Sequence, residues 1–452
     1  MAVNGIYHIE KEYDDGGFAT VTRNYNTSDL LIMNPKGYAW IQYEYSDAGK
    51  PVCETFCDLE GNSISIGGYA RTRKEYDEDG NVTWQAFYDE QGKLIPQAKG
   101  YAYQVRKYND KKQVVWTAYY GEELQPVTIT DGYASFSNEY DEMGNLIQTI
   151  YYDEEGNKVS LPKGYVIERK SYNDEKKVVR TEYLDELGNP VLTTDGIAVK
   201  SCEYDENGDL IRESNFDESG NLVLTKSGYA VVDKEYNDLH KTIRTIYRDV
   251  NLEEVNSTAG YAVLVNDYDE KGNAVFERYY DTEGNAVVLP KGYAAIRKNY
   301  NDSNKLIRTE TLDTECNIVN STDHFAITTS EYDNQNRVIF QGWYGADEML
   351  VAKADGSASL TKEYLDDGRT VRTRYYGTGG EPVTVQNGYA VLEEYYDDAN
   401  KKIGEGYFDA ELNPVYKTKQ SFVRYLTEFR EDGTQRTEYY GKDGSVVKVD
   451  EK

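Results

Sequence analysis

Hydrophobic and polar residues alternate along most of the chain in short runs, which are separated by turn-forming segments. Residues 132–163 show the pattern: the runs GYASFSNEY, LIQTIYY and KVSLPK are joined by the segments DEMGN and DEEGN. Alternation with a period of two is typical of β-strands. Asp-x-x-Gly-Asn between two β-forming runs suits a type I turn followed by a left-handed glycine. The pattern therefore predicts β-hairpins, with three strands in each meander.

The same pattern recurs with a spacing of 31 to 33 residues, most often 32, which gives about fourteen copies. We call each copy a repeat and name it by its first residue. Gly-Tyr-Ala or a close relative opens the repeats at Gly37, Gly68, Gly100, Gly132, Gly164, Gly196, Gly228, Gly260, Gly292 and Gly388, and degenerate copies open at Gly5, His324, Gly356 and Ser421. Because one hairpin cannot bury its apolar face alone, we expect neighbouring repeats to stack into an all-β, elongated solenoid or superhelix.

Divergent copies at both ends of such an array are typical of capping repeats. We therefore divide the chain into a capping repeat at residues 1–36, regular repeats at 37–420 and a second capping repeat at 421–452. We expect a monomer.

A second period of 64 residues lies within the first. Four alternate repeats read Tyr-Asn-Asp at their first turn and lack its glycine, whereas their neighbours read Tyr-Asp-Glu-x-Gly; the four open at Gly100, Gly164, Gly228 and Gly292. Arg-Thr occupies the middle of the second run at Arg180, Arg244, Arg308 and Arg372. Alternate repeats are therefore expected to meet different surroundings.

Strand alternation sorts the side chains of the repeat from Gly132 into two faces. If the tyrosine before the first turn pairs with the asparagine after it, Ala134 lies opposite Tyr151 on a core face. Tyr133 and Tyr152 then share the other face, which also carries charged residues such as Glu139. This second face is expected to be only partly buried.

Tyrosine is the most distinctive residue, with 44 copies against 11 Phe and 4 Trp. Four aromatic positions recur in each repeat, and a thin β-layer cannot bury so many rings on both faces. Exposed rings at a fixed pitch suit sugar chains or quaternary ammonium groups. The candidate glycan-binding residues are Tyr69, Tyr88, Tyr101, Tyr120, Tyr133, Tyr152, Tyr261 and Tyr280. Packing is the alternative, because tyrosine also tolerates half-buried strands; interdigitation of the rings with the next repeat would favour it.

The net charge of the chain limits the kinds of partner that it is expected to bind. Eighty acidic residues against fifty Lys and Arg give a formal net charge of −30, which disfavours nucleic acid and other bare polyanions. The expected partner is a neutral or choline-bearing cell-surface polysaccharide. No run approaches the roughly 20 apolar residues of a membrane span, and the N-terminal residues do not resemble a signal peptide. We expect an extracellular or cell-surface location, or the cytoplasm if the repeats belong to a larger synthase.

No residue is predicted to be catalytic, because a repeat presents the same groups many times rather than one unique constellation. His8, His240 and His324 are interpreted as surface residues, since none has a partner at metal-ligand spacing. Cys53 and Cys57 share one predicted strand, too far apart for a disulfide, and Cys316 takes a turn-glycine position. No cofactor is expected, although the clustered carboxylates of the turns leave calcium as an alternative.

Two bacterial repeat families share short motifs with this chain. Residues 151–159 (YYDEEGNKV) and 279–287 (YYDTEGNAV) resemble the cell-wall and glucan-binding repeats of Gram-positive bacteria, which form β-hairpin solenoids on choline-decorated teichoic acids or α-glucans. Residues 76–81 (YDEDGN) and 204–208 (YDENG) resemble the Tyr-Asp repeats of bacterial surface and toxin-encapsulating shells. Choline-binding repeats rely on Gly-Trp pairs, which are missing from the repeat starts here, so the resemblance implies an architecture and an affinity for surface polymers but no choline cage.

The sequence therefore supports two alternative functions. One is a non-catalytic bacterial surface module that binds glycan through aromatic rows. The other is a structural spacer or protein-interaction scaffold, in the form of the repeat region of a larger cell-wall or capsule-building enzyme, in which the tyrosines only pack.

Overall fold

The computed structural model of the chain describes residues 8–34, 36–365, 368–397, 401–429 and 435–451. Within these ranges the backbone forms 29 β-strands and no helix, so the predicted all-β hairpin-repeat class is confirmed. Gly5, the predicted start of the first repeat, lies outside the described residues. From β1 to β26, strands of six residues alternate with strands of seven.

In chain order the first fourteen strands are β1 (His8–Tyr13), β2 (Ala19–Tyr25), β3 (Trp40–Tyr45), β4 (Pro51–Cys57), β5 (Arg71–Tyr76), β6 (Val82–Tyr88), β7 (Tyr103–Tyr108), β8 (Val114–Tyr120), β9 (Ser135–Tyr140), β10 (Leu146–Tyr152), β11 (Ile167–Tyr172), β12 (Val178–Leu184), β13 (Val199–Tyr204) and β14 (Leu210–Phe216). The remaining strands are β15 (Val231–Tyr236), β16 (Thr242–Arg248), β17 (Val263–Tyr268), β18 (Ala274–Tyr280), β19 (Ala295–Tyr300), β20 (Leu306–Leu312), β21 (Ile327–Tyr332), β22 (Val338–Tyr344), β23 (Ser359–Tyr364), β24 (Thr370–Tyr376), β25 (Val391–Tyr396), β26 (Lys402–Phe408), β27 (Arg424–Phe429), β28 (Gln435–Tyr440) and β29 (Val446–Glu451).

The chain divides into two compact units, residues 1–199 with 428–436 and 450–452, and residues 200–427 with 437–449. Consecutive strands pair antiparallel from β1 to β12 in the first unit. They do so again from β14 to β27 in the second. The division into capping and regular repeats stays a prediction.

Apolar burial is local in both units. In the first unit Val166, Ile167 and Leu184 form a small buried cluster, against which Ile150 packs. Comparable clusters in the second unit centre on Val263 and on Tyr407. A core divided in this way is what a chain of neighbouring hairpins produces, since each repeat buries its apolar groups against the next.

The predicted three-stranded meander is wrong for every repeat before the last, because the third run makes only an isolated bridge; in the last repeat the third run is β29. In the repeat from Gly132, Lys158 makes a single bridge with Tyr152, and the N–H of Val159 donates to the carbonyl of Tyr151 at 3.0 Å. A third turn begins at Leu161, whose carbonyl accepts from the N–H of Gly164. Only residues 158–160 lie between the second and third turns, which is too few for a strand.

The predicted register is also wrong. Tyr140 pairs with Leu146 rather than with Asn145, and a β-bulge follows before Glu139 pairs with Gln148. Asn145 belongs to the turn, because its carbonyl accepts from the N–H of Asp141 at 3.0 Å. As a result Phe136, and not Ala134, lies opposite Tyr151.

The alanine of Gly-Tyr-Ala instead joins neighbouring hairpins. Ala134 is almost completely buried; its N–H donates to the carbonyl of Tyr152 at 2.8 Å, and its own carbonyl accepts from the N–H of Tyr119 in the preceding repeat at 2.9 Å. Ala102, Ala230 and Ala262 are buried in the same position. A small side chain is needed there because the backbones of two repeats meet at this residue.

The hairpin turns have the predicted chemistry. In the first turn of the repeat from Gly132, a side-chain oxygen of Asp141 accepts from the N–H of Asn145 at 2.8 Å. The N–H of Gly144 donates to the carbonyl of Asp141, and Gly144 has a φ of +85°, in the left-handed region that favours glycine. Asp153 and Gly156 repeat this arrangement in the second turn.

The turns without glycine explain part of the 64-residue period. Lys112 and Lys176 adopt a left-handed φ of +62° where the neighbouring repeats have glycine. Their ammonium groups donate to turn carbonyls of the preceding repeat, Lys112 to Asp79 at 3.0 Å and Lys176 to Met143 at 3.3 Å. Glycine has no side chain, so the repeats with glycine at this position cannot make the contact that Lys112 and Lys176 make with the preceding repeat.

Candidate functional site

The tyrosine rows are the candidate functional site, and the first of them is continuous. The ring of each Gly-Tyr-Ala tyrosine contacts rings at the sixth position of the seven-residue strands. We call the resulting chain of contacts the ring ladder. In the first compact unit ten rings follow one another with centroids 4.9–6.2 Å apart: Tyr38, Phe56, Tyr69, Phe87, Tyr101, Tyr119, Tyr133, Tyr151, Tyr165 and Tyr183.

Contacts within a repeat alternate with contacts between repeats along this ladder. Tyr133 lies 4.9 Å from Tyr151 of its own repeat and 6.0 Å from Tyr119 of the preceding one, and Tyr151 lies 6.2 Å from Tyr165 of the next. Tyr133 and Tyr151 are therefore neighbours, although the predicted alternation put them on opposite faces. The prediction is wrong because Tyr133 precedes β9, where strand alternation does not apply. Ring pairs of this kind contribute about 0.5–1.5 kcal/mol beyond their buried area.

Burial in the ladder changes the acidity of its phenols. Desolvation raises the pKa of Tyr165 to about 12, with the charge of Glu168 as the next cause. The pKa values of Tyr133 and Tyr151 are also raised, first by burial and then by neighbouring tyrosines. These rings remain neutral phenols across the physiological pH range.

The second compact unit contains shorter ladders. Five tyrosines follow one another at 4.7–6.4 Å: Tyr229, Tyr247, Tyr261, Tyr279 and Tyr293. A second group, at 4.6–6.4 Å, consists of Tyr375, Tyr389, Tyr407, Phe422 and Tyr439. At the sixth position of β14, where other strands have an aromatic ring, the residue is Asn215. Its side chain is 1% exposed, and its amide donates to the carbonyl of Ala230 at 3.0 Å. The ladder position thus accepts any group that fills the space and satisfies its own polar atoms.

The tyrosine that precedes the first turn has a different role. Its hydroxyl donates to the carbonyl of a residue 26 positions earlier, or 25 for Tyr76, at the start of the second strand of the preceding repeat. We call this contact the tyrosine clasp. Tyr172 reaches the carbonyl of Leu146 at 2.8 Å. Clasps of 2.8–3.2 Å are made by Tyr45, Tyr76, Tyr108, Tyr140, Tyr172, Tyr236, Tyr268, Tyr300, Tyr332 and Tyr364.

The clasp was missed in the sequence, although a signal was present. The position before the first turn is tyrosine in every repeat except the last, where it is Phe429. The ladder position of the second strand, by contrast, accepts Phe, Trp, Asn and Thr. A position that keeps tyrosine among interchangeable aromatics indicates that the hydroxyl, and not only the ring, is required.

The fourth aromatic position ends the seven-residue strand; we call Tyr88, Tyr120, Tyr152 and Tyr280 the strand-end tyrosines. All four are half-buried. Tyr120 stacks on Tyr103 with centroids 4.7 Å apart, and the hydroxyl of Tyr152 lies 3.1 Å from the hydroxyl of Ser137. Tyr280 packs against the buried cluster around Val263. One part of each ring therefore reaches solvent while the other packs.

The eight candidate glycan-binding tyrosines thus fall into two groups. Tyr69, Tyr101, Tyr133 and Tyr261 belong to the ring ladders and interdigitate with adjacent repeats, whereas the other four are the strand-end tyrosines. None of the eight is fully exposed. Among the tyrosines that the structure describes, Tyr13 and Tyr416 are exposed, at 60% and 47%.

The acidic turns use their carboxylates internally. In the second turn both side-chain oxygens of Asp153 accept from Asn157, one from its N–H at 2.7 Å and the other from its amide at 3.3 Å. The amide of Asn145 is the first cause that holds the pKa of Asp141 below its usual range. No group of three or more His, Cys, Asp or Glu side chains is placed to hold a metal ion in the described ranges.

The histidines and cysteines lie where the sequence analysis put them. His8, His240 and His324 are exposed, and His240 contacts the carboxylate of Asp209 at 2.7 Å. The cysteines of the described residues are free thiols: two are buried in β4, one is half-buried and one is exposed; they are Cys53, Cys57, Cys202 and Cys316. Cys316 has a φ of +66°, as expected for a turn-glycine position. Within the described ranges there is also no helix long and apolar enough to cross a membrane.

Comparison with known proteins gives only distant likenesses. No protein-family model and no curated protein matches the chain. A crystal structure of TcdB2-TccC3 is 10% identical over 97% of this chain and 26% of its own, with a TM-score of 0.27. A Tc holotoxin pore from Photorhabdus luminescens is 11% identical over 99% of this chain and 27% of its own, with a TM-score of 0.23. The chain thus spans about a quarter of the length of these chains. TM-scores so far below 0.5 define no shared fold.

Likenesses as weak as these favour neither of the two resemblances drawn from the sequence motifs.

Proposed function

We propose that this chain is a non-catalytic structural module, a spacer or protein-interaction scaffold built from stacked β-hairpins. The ring ladder carries the proposal, because its rings connect one repeat to the next instead of lining an open groove. Tyr119, Tyr133, Tyr151 and Tyr165 each contact rings on two sides. A residue that is packed in this way stabilises the array and leaves little ring surface for a ligand.

Three recurrent aromatic positions have structural roles under this proposal. Two supply the ring ladder, and the third supplies the clasp, as at Tyr172. The polar turns project acidic side chains, and a net charge of −30 keeps such a module soluble and disfavours self-association. A monomer at the cell surface or outside the cell fits this charge, as does the repeat region of a larger cell-wall or capsule-building enzyme.

The strand-end tyrosines support a second candidate function, the binding of neutral or choline-bearing cell-surface polysaccharide. Tyr88, Tyr120, Tyr152 and Tyr280 recur at the same place in their repeats and keep part of each ring open to solvent. Each ring could stack on a sugar and contribute about 1 kcal/mol, and several rings facing one repetitive polymer would add avidity. The ladder tyrosines, which were candidates in the sequence, contribute to packing in this scheme.

Titration of the intact chain against neutral glucans and choline-bearing teichoic acid separates the two functions. A variant with Tyr88, Tyr120, Tyr152 and Tyr280 changed to Ala is titrated in parallel, after circular dichroism confirms its fold. The scaffold proposal expects no saturable binding by either protein. Binding by the native chain that the alanine variant loses would establish the second candidate and refute the first. Tyr416→Ala, at an exposed tyrosine outside the rows, is the matched control.

The scaffold is proposed to need no cofactor. Because the carboxylates of Asp141 and Asp153 already accept hydrogen bonds from their own turns, calcium would have to compete with them. Removal of calcium with a chelator should leave the melting temperature unchanged. A fall that added calcium reverses would instead establish calcium bridging between the turns.

A further inference from the structure

Tyr103 and Tyr120 form the most parallel tyrosine pair in the described part of the chain. They lie opposite each other on β7 and β8, with ring centroids 4.7 Å apart and an angle of 4° between the ring planes. A second pair crosses the same repeat, Tyr101 with Tyr119, at 4.9 Å but with an angle of 53°. The first pair is therefore stacked, with the faces of the two rings toward each other, whereas the second pair is tilted.

The surroundings of the parallel pair provide a route for oxidation. Tyr120 is half-buried and reaches solvent, while Tyr103 is 8% exposed and contacts the ring of Trp84 at a centroid distance of 5.8 Å. Ala86 and Ala118 are buried on the same face of the sheet, Ala86 opposite Tyr103 and Ala118 two residues before Tyr120. An oxidant that attacks the exposed edge of Tyr120 therefore acts on a pair whose second ring is already in place.

We propose that Tyr103 and Tyr120 are a site of oxidative cross-linking, at which a peroxidase-type one-electron oxidant driven by hydrogen peroxide joins the two rings. This inference does not depend on either function proposed above. It assigns to one repeat a covalent link between the strands of its hairpin, and the stacked geometry supplies the proximity that the coupling requires.

The chemistry balances with that oxidant. Each phenol loses one electron and its hydroxyl proton, which gives two phenoxyl radicals. The radicals couple through the ring carbons beside the hydroxyl groups, and the two hydrogens on those carbons move to the oxygens to restore both phenols. Two protons and two electrons are lost in total, and they reduce one hydrogen peroxide to two waters. The product is a carbon–carbon bond between Tyr103 and Tyr120.

Peptide mapping after treatment of the intact chain with peroxidase and hydrogen peroxide tests the proposal. Trypsin cuts the native sequence so that residues 100–106 hold Tyr101 and Tyr103, and residues 113–158 hold Tyr119 and Tyr120. We expect these two peptides to be recovered as one linked species that lacks two hydrogen atoms. Its yield should not change on dilution of the protein, because the link lies within one chain.

Single Tyr→Phe variants identify the bond, since both candidate pairs lie on the same two peptides. Tyr103→Phe and Tyr120→Phe should abolish the linked species, whereas the matched controls Tyr101→Phe and Tyr119→Phe should retain it. Loss of the link in the controls and not in the first two variants would overturn the assignment. No link in the native chain, or links only between separate chains, would overturn it as well. Fragment ions of the native product locate the bond independently of how any variant folds.

Discussion

Removal of a single clasp hydroxyl should weaken one junction between repeats. In Tyr172→Phe the ring remains, and only the hydroxyl that donates to the carbonyl of Leu146 at 2.8 Å is lost. A hydrogen bond of this kind contributes about 1 kcal/mol net, and more when the abandoned acceptor finds no other partner. We therefore expect Tyr172→Phe to reduce the free energy of unfolding of its region by about 1 kcal/mol.

Tyr140→Phe provides a comparison with the same chemistry. The clasp of Tyr140 reaches the carbonyl of Val114 at 2.9 Å, but the side-chain amide of Asn138 donates to that carbonyl too, at 3.1 Å. Because Val114 keeps one donor in the variant, the loss at Tyr140 should be smaller than at Tyr172. Tyr416→Phe, at an exposed tyrosine, should cost about zero.

Hydrogen exchange followed by mass spectrometry is the appropriate assay, because it resolves where the structure opens. In Tyr172→Phe, faster exchange is expected in β10 and β11, on the two sides of the weakened junction, with no change in β18 or β19. A cost at Tyr172 no larger than at Tyr416 would refute the clasp as a stabilising contact. Faster exchange spread evenly over all strands would refute the nearest-neighbour account of the array.

Two further predictions address the turns and the carboxylates. Gly156→Val should cost about 1–3 kcal/mol and loosen one hairpin in hydrogen exchange, because Gly156 has a φ of +84°; unchanged stability would contradict the left-handed turn. The pKa of Asp141 is lowered in the folded state, so its ionised carboxylate stabilises the fold above the usual carboxyl pKa, and this stability is lost as pH falls through the folded-state pKa. Between pH 5 and pH 2 the melting temperature should therefore fall more steeply in the native chain than in Asp141→Asn. Identical pH profiles would contradict this role.

Local sequence features predicted the hairpins well, because the chemistry of a turn lies within five residues. Asp141, Gly144 and Asn145 act as their identities predict, and the left-handed conformation extends even to Lys112, where glycine is absent. The 64-residue period was also visible, and the donation by Lys112 to the preceding turn supplies a physical reason for it.

The strand register and the role of the tyrosines could not be predicted from alternation. The bulge after Tyr140 shifts the pairing, and its presence depends on how the turn closes rather than on the pattern of the strand. Tyr133 lies outside β9, so its side chain does not follow the alternation that was used to place it. The clasp joins residues 25 or 26 positions apart, and no local motif reports a contact between the end of one strand and a carbonyl of the preceding repeat.

If most of the tyrosine rows are internal packing, the chemical reactivity of each ring should report it. Mild nitration of the intact chain, followed by peptide mapping, reports which phenols a reagent in solution can reach. The account predicts rapid modification of Tyr13 and Tyr416 and strong protection of Tyr133, Tyr151 and Tyr165 in the ring ladder. Nitration of Tyr133 or Tyr151 as fast as that of Tyr416, in a protein that remains folded, would show open aromatic rows and contradict the account.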